Sequence, residues 1–253
     1  METTLDVDES IINEHYRILN LPYGSMLINR HDPCLPINLQ ENMQEIEGLC
    51  QFARGNVLDV GANVGSHSMN FARVADMVYA FEPHPHTFYN LCANILLNSA
   101  MNVQPFNFAL GSDTDVLEGN GSTTVWNIDP HQKNSAMGME VGIGSLPVPI
   151  RTIDSLDISP LHFIKIDTEG HEYEILKGAA ITLIRENVIV YVEIHSEALR
   201  ESIVPFMTAS GFLGTEYVHT HYIEQDAEMC TYGYLFWKEG RIVWGEDQPS
   251  SLE

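Results

Sequence analysis

Apolar residues fall in short runs, and each run keeps either a helical or a strand period. From Asn38 to Ala53 the positions Met43, Ile46, Leu49 and Cys50 recur at helical spacing, which predicts an amphipathic helix ended by Gly55. Val57-Leu58-Asp59-Val60 reads as a buried strand and runs into two glycines four apart, Gly61 and Gly65. Such a corner turns a parallel strand tightly into a helix whose backbone N–H groups face a ligand. Val64–Val74 then reads as helix, and Met77–Phe81 as a strand closing on Glu82. Pro83, His84 and Pro85 open a helix through about Asn98, with Phe88, Leu91, Cys92, Ile95 and Leu96 along one face. Val103–Leu110 is a third strand, ending at Ala109-Leu110-Gly111.

The second half repeats the alternation. His162–Asp167 is a strand, Thr168-Glu169-Gly170-His171-Glu172 breaks it, and a helix from Glu172 to Lys177 stops at Gly178. Val188–His195 is the most β-branched run and predicts a central strand. Ala198–Ser210 places Leu199, Ile203, Phe206 and Met207 inward on a helix that Pro205 is expected to kink or to start late. Gly211–Val218 and Thr231–Trp237 are two more strands, with acidic Glu224–Glu228 in the loop between them, and Lys238–Arg241 turns into Ile242-Val243-Trp244. Ser112–Pro149 is rich in Gly, Ser, Asn and Asp and is expected as an excursion at the substrate mouth. The organisation is an N-terminal arm and leading helix over residues 1–50, then one α/β domain over 51–253 that carries the 112–149 excursion. About seven strands give a mainly parallel sheet with antiparallel terminal strands.

Composition narrows the partners. Across 253 residues, 12 Lys+Arg stand against 35 Asp+Glu, a formal charge of −23 without a basic cluster, so nucleic acid and anionic membrane surfaces are excluded as partners. No apolar run approaches the roughly 20 residues of a membrane span, and the acidic start Met1–Ser10 is unlike a secretory signal, which points to the cytoplasm. Cys34, Cys50, Cys92 and Cys230 are scattered without CxxC spacing, as expected of reduced thiols.

Spacing nominates the chemistry. Glu82 lies 17 positions past Gly65, where a carboxylate at the end of the second strand accepts hydrogen bonds from ribose hydroxyls. Asp167 ends a strand at the carboxyl edge, where open α/β sheets bind ligands, and Lys165 shares its strand face, so an ion pair competes there with a catalytic role. Glu193 and His195 share a face in the same way, and His195 is a candidate general base with a pKa near neutral. Glu169, His171 and Glu172 surround one turn, and neighbours so placed seldom converge on one ion; no metal site is expected. His219 and His221 read as solvated.

Four blocks together resemble the FkbM family of class I S-adenosylmethionine-dependent methyltransferases. They are Val57–Gly65, Ala80-Phe81-Glu82-Pro83, Asn107–Gly111 and Phe163–Glu172, followed by Leu176-Lys177-Gly178-Ala179 and Val192-Glu193-Ile194-His195. The resemblance runs over about Asn56–Ser210 and implies a Rossmann-like seven-stranded mainly parallel sheet with an antiparallel C-terminal strand and helices on both faces. It implies S-adenosyl-L-methionine as cofactor, with Gly61, Asn63 and Gly65 approaching it and Asp59 holding the turn or meeting its amino group. Glu82 would take the ribose, His84, Ala109 and Leu110 the adenine, and Asp167 would adjoin the cofactor as well. The catalytic candidates are Asp167, Glu169, His195 and Lys165, and O-methylation of a hydroxyl on a sugar, glycan or small natural product is the implied reaction. A binding module that keeps the fold without chemistry is the rival. A nicotinamide oxidoreductase would need GxGxxG, whereas position 63 is Asn and the third glycine is missing.

Overall fold

Alternation along the strands decides the layering of the molecule. The structure, a computed structural model, describes residues 9–30, 43–112, 149–224 and 227–240, with the backbone alone at 9, 218–224 and 227–230. In chain order come β1 (Glu9–Ile11), β2 (Tyr16–Leu21), β3 (Gly24–Asn29), α1 (Met43–Cys50), β4 (Asn56–Val60), α2 (Ser66–Phe71), β5 (Met77–Phe81) and α3 (Pro85–Leu97). There follow β6 (Val103–Phe106), β7 (Ala109–Leu110), β8 (Ile150–Arg151), β9 (Phe163–Ile166), α4 (Glu172–Lys177), α5 (Ala180–Arg185), β10 (Ile189–Ile194), α6 (Glu197–Ala209), β11 (Leu213–Glu224) and β12 (Ala227–Trp237). Seven strands form one sheet in the order β11-β12-β10-β9-β4-β5-β6, and β12 alone runs against the others. This is the mainly parallel sheet with an antiparallel C-terminal strand that the sequence implies.

Odd and even strand positions feed two separate cores. Val57, Phe163, Ile189 and Tyr191 meet Leu49 of α1, Phe71 of α2 and Leu91 of α3 on one face. Leu58, Val60, Ile164, Ile166, Val190 and Val192 meet Ile175 and Leu176 of α4, Leu183 of α5, and Ile203 and Met207 of α6 on the other. Burying one such side chain contributes about 1.5–3 kcal/mol. Helices α2, α4 and α5 have six residues each, too short to stand alone, so this packing is what holds them.

Several expectations change. The described part of the N-terminal arm is an antiparallel meander, β1-β2-β3, whose Leu19, Leu21, Met26 and Ile28 join the first core. The expected third strand divides at Asn107, whose Nδ2 donates to the carbonyls of Glu82 and Pro83 instead of the sheet ladder; β6 stays in the sheet, and β7 leaves to pair with β8. On α3 the buried apolar positions are Leu91 and Ile95, while Leu96 faces solvent. Pro205 lies inside an unbroken α6, which starts at the Ser196 cap. The last two strands are longer than predicted: β11 runs to Glu224 and β12 begins at Ala227, so much of the expected acidic loop is strand. Pairing of β12 with β10 ends at Tyr232 opposite Ile194, so Ala227 to Thr231 and their β11 partners stand beyond the carboxyl end of β10 by roughly 17 Å. Residues 113–148 of the excursion and the strand expected at Ile242–Trp244 lie outside the described residues. Among the described residues, no helix is long and apolar enough to cross a membrane.

The meander is fastened to the domain by two asparagines one turn apart on the same helix. Asn94 is fully buried; its Oδ1 accepts from Leu27 N (2.6 Å), and its Nδ2 donates to Val64 O (2.8 Å) and Leu27 O (3.2 Å). Asn98 makes the equivalent pair of bonds with Ser25 N and O. Replacing Asn94 by Leu strands the buried Val64 carbonyl and the part-buried N–H and carbonyl of Leu27, each costly when unpaired. Asn94→Leu is therefore expected to lower the free energy of unfolding by about 2–4 kcal/mol in urea denaturation. An unchanged transition midpoint would show that this clamp does not carry the meander.

Candidate active site

The same alternation that builds the first core also places polar side chains on its rim. Asp59, Lys165 and Tyr191 are register partners across β4, β9 and β10, so they form one row on one face. Two residues further along each strand the row continues as Gly61, Asp167 and Glu193, and His195 lies beyond it. All reach the carboxyl edge of the parallel strands, where helices and loops leave room for a ligand.

At this edge the glycine turn leaves β4. Gly61 has φ +79°, and a Cβ there would lie 1.7 Å from the carbonyl oxygen of Asp167, so only glycine lets the chain cross the end of β9. Gly65 has φ +97°, and its Cβ would meet Leu91 at 2.7 Å. Between them Asn63 also adopts a left-handed conformation (φ 51°) and donates its N–H to Glu82 Oε2 at 2.9 Å. The other Glu82 oxygen accepts from His84 N at 2.8 Å, so this one carboxylate ties the glycine turn to the start of α3. Glu82 is 7% exposed, and burial pushes its pKa up to about 7 against the opposing pull of those two N–H groups. His84 caps α3, with Nδ1 accepting from Thr87 N. Ala109 and Leu110 are buried on β7, beside a ring cluster of Phe81, Phe106 and Phe108 over which Arg151 lies.

Lys165 is closed off from solvent at 1% exposure. Its ammonium lies 3.1 Å from Asp167 Oδ2, 3.5 Å from Asp59 Oδ1 and 3.3 Å from the Gly61 carbonyl, so it is occupied by groups of the protein itself. Burial alone would lower its pKa, but Asp167 and Asp59 hold it above the usual range. Of the two arrangements open to this lysine, the structure has the ion pair. Asp59 is also fully buried, and Ser68 Oγ donates to its Oδ2 at 2.6 Å; it braces the turn from within. His67, on α2 beside Ser68, is pushed down to about 4 by burial and then by Lys165, and so stays neutral.

Around His195 the structure joins residues from two strand ends. Glu172, fully buried at the start of α4, accepts on Oε1 from Gly170 N (2.8 Å), Thr168 N (3.3 Å) and His195 Nδ1 (3.0 Å). The loop 167–172 is thus wound on one carboxylate, which also sets the ring of His195. The ring's Nε2 then lies 3.6 Å from Asp167 Oδ1, 3.5 Å from Glu169 Oε2 and 3.9 Å from Glu193 Oε1. Burial would lower the pKa of His195, but the Glu172 bond and the carboxylates of Asp167 and Glu169 raise it to about 10, not the near-neutral value expected of a base. Glu169, with φ 56°, is raised to about 7 by burial and by Asp167.

Of the three neighbours around the turn, His171 sets its Nε2 beside Gly111, 3.1 Å from where a Cβ would stand. Among the described residues, Asp167, Glu193 and His195 have ligand atoms within 4.8 Å of one another. Glu193 and Glu172 were the members not nominated for the site by spacing alone. Period two with His195 was the signal for Glu193; Glu172 was weighed only with its chain neighbours, because its partner His195 lies a strand away.

Because Glu82 titrates near 7 in the folded protein and near 4.5 unfolded, its contribution to stability is fully present below about 4.5 and is lost as pH rises through about 7. Stability of the wild type relative to Glu82→Gln is expected to fall on the order of 3 kcal/mol between those pH values. Parallel pH profiles for the two proteins would refute the assignment; a constant offset from the lost N–H partner would not.

Comparison with known proteins places this geometry. The family model described as Methyltransferase FkbM domain matches residues 59–235. Hexuronic acid methyltransferase AglP of Haloferax volcanii is 31% identical over 138 residues, 54% of this chain and 55% of that protein, so the match spans about half of the curated relative. Among solved structures, TYW2 of M. jannaschii in complex with AdoMet superposes with a TM-score of 0.53 at 15% identity, covering 90% of this chain and 89% of that one. Precorrin-6y C5,15-methyltransferase from Geobacter metallireducens GS-15 gives a TM-score of 0.50 at 12% identity, covering 78% and 88%; both likenesses are of fold. With its matched region running from the acid below the glycine turn to the last strand of the sheet, the chain belongs to the FkbM methyltransferase family.

Proposed function

We propose that the protein is an S-adenosyl-L-methionine-dependent O-methyltransferase acting on a sugar hydroxyl. The observation that carries this reading is the meeting, at one sheet edge, of a glycine turn tied to Glu82 with the Asp167–Glu169–His195 cluster. Family membership supplies the reaction class, and the hexuronic acid methyltransferase supports a hexuronic acid, free or within a glycan, as acceptor. Free thiols at Cys50 and Cys92 agree with a cytoplasmic setting.

In this reading Gly61, Asn63 and Gly65 line the cofactor's methionine and ribose, and Glu82 receives the ribose hydroxyls on the lone pairs that Asn63 and His84 leave open. His84, Ala109 and Leu110 border the adenine. Methyl transfer from a sulfonium is an in-line displacement with a good leaving group, so the protein's work is alignment and removal of the acceptor proton. Glu169, with a proton affinity near neutral pH, is the group suited to take that proton. Asp167 and His195 orient the acceptor oxygen, and Lys165 holds Asp167 in place.

Calorimetry is expected to show one S-adenosylmethionine or S-adenosylhomocysteine per chain, with affinity rising as pH passes about 7, where Glu82 ionises, and with Glu82→Ala reducing it at least tenfold. Absence of binding to the purified protein would end this reading. In a methyl-transfer assay against hexuronic acids and glycans that contain them, Glu169→Gln is expected to lower kcat by about 10²–10⁴. Cofactor binding without transfer to any hydroxyl acceptor would instead support a binding module.

A further inference from the structure

We infer that Asp167, Glu193 and His195 form a divalent-cation site, one that spacing along the sequence did not predict. Three observations lead to it. Nε2 of His195 faces carboxylate oxygens of Asp167 and Glu193 at 3.6 and 3.9 Å, too far for hydrogen bonds. Donor atoms that share one ion at about 2.2 Å lie roughly 3.0–3.6 Å apart; the ligand atoms of these three residues all lie within 4.8 Å of one another, so side-chain adjustment brings them onto a common centre. Asp167 is divided for this purpose: Oδ2 is held by Lys165, and Oδ1 is turned to His195.

The second observation is behind the ring. Glu172, fully buried, binds Nδ1 of His195 at 3.0 Å and so presents Nε2 outward, as the outer carboxylate of a metal-bound histidine does. Its Oε2 is buried without a hydrogen-bond partner, leaving negative charge directly behind the proposed ligand. The third is access: the Asp167 and Glu193 side chains are about a quarter exposed, so an ion and an acceptor oxygen can reach them. Lys165 satisfies one oxygen of this group, Asp167 Oδ2, and leaves Asp167 Oδ1 and Glu193 Oε1 to face the ring of His195.

Two carboxylates and one imidazole suit a cation of the Mn²⁺ type better than a thiol-seeking metal. Bound there, it takes the place of the proton on Nε2 and keeps positions open on the solvent side. If the methyltransferase reading holds, those positions are where a hydroxyl or carboxylate of an acidic sugar binds, and the cation offsets the repulsion between that acceptor and the surrounding carboxylates.

The test uses Mn²⁺ with the full-length protein and does not depend on methyl transfer. Electron paramagnetic resonance titration is expected to show one Mn²⁺ per chain, with affinity lowered at least tenfold by Glu193→Gln and by His195→Gln, and roughly tenfold by Glu172→Gln. Pulsed measurements on the wild type are expected to show nitrogen coupling from one imidazole, which decides the matter even if a variant fails to fold. Lack of a stoichiometric Mn²⁺ site, lack of nitrogen coupling, or undiminished binding in folded His195→Gln overturns the inference. Cofactor binding measured separately in a chelator keeps failure here distinct from failure of the methyltransferase reading.

Discussion

A lysine ammonium sealed inside the sheet is the interaction on which the rest of this architecture depends. Lys165 sits in the middle strand of the seven and neutralises Asp59 on one side and Asp167 beyond it, while its third contact is the carbonyl of Gly61. Leaving a buried charge without its partner costs about 3–5 kcal/mol, so the three groups are mutually binding constraints. They fix where β4 ends, how closely the glycine turn crosses β9, and which oxygen of Asp167 points outward. The loop to Glu172, and through it the ring of His195, inherits its position from that arrangement.

What was readable in the sequence was what short-range rules control. Val57–Val60, Met77–Phe81, Phe163–Ile166 and Ile189–Ile194 announce themselves by apolar runs, and the break from Thr168 to Glu172 is marked by glycine and a short helix that stops at Gly178. Glu82 could be nominated because its distance from the glycine turn is set by one helix and one strand. The role of Lys165 was not settled, because alternation gives the face of a side chain but not which strand lies beside it. Glu193 shows the same limit: period two put it on the face of His195, but only the pairing of β9 with β10 brings Asp167 to the two of them. The long ribbon of β11 and β12 was cut short by reading polar residues as loop, although strands at a sheet edge tolerate them on both faces.

Charge organises the site as much as shape does. An acidic chain holds an acidic cluster at its functional edge, and its positive groups there, Lys165 and His195, are each oriented by buried carboxylates. Around the glycine turn the character is opposite: Glu82 is satisfied by backbone N–H groups and the neighbouring wall is aromatic.

The overhang of β11 and β12 has a consequence for how such a protein diversifies. Among the described residues, the stretch beyond β10 pairs with no third strand, so its contacts with the sheet are made at its root alone. Exchange of residues along that ribbon changes the rim beside His195 without altering the register of any strand that carries Asp59, Lys165 or Asp167. Substitutions can therefore accumulate along this ribbon without disturbing the buried ion pairs that fix the edge of the sheet.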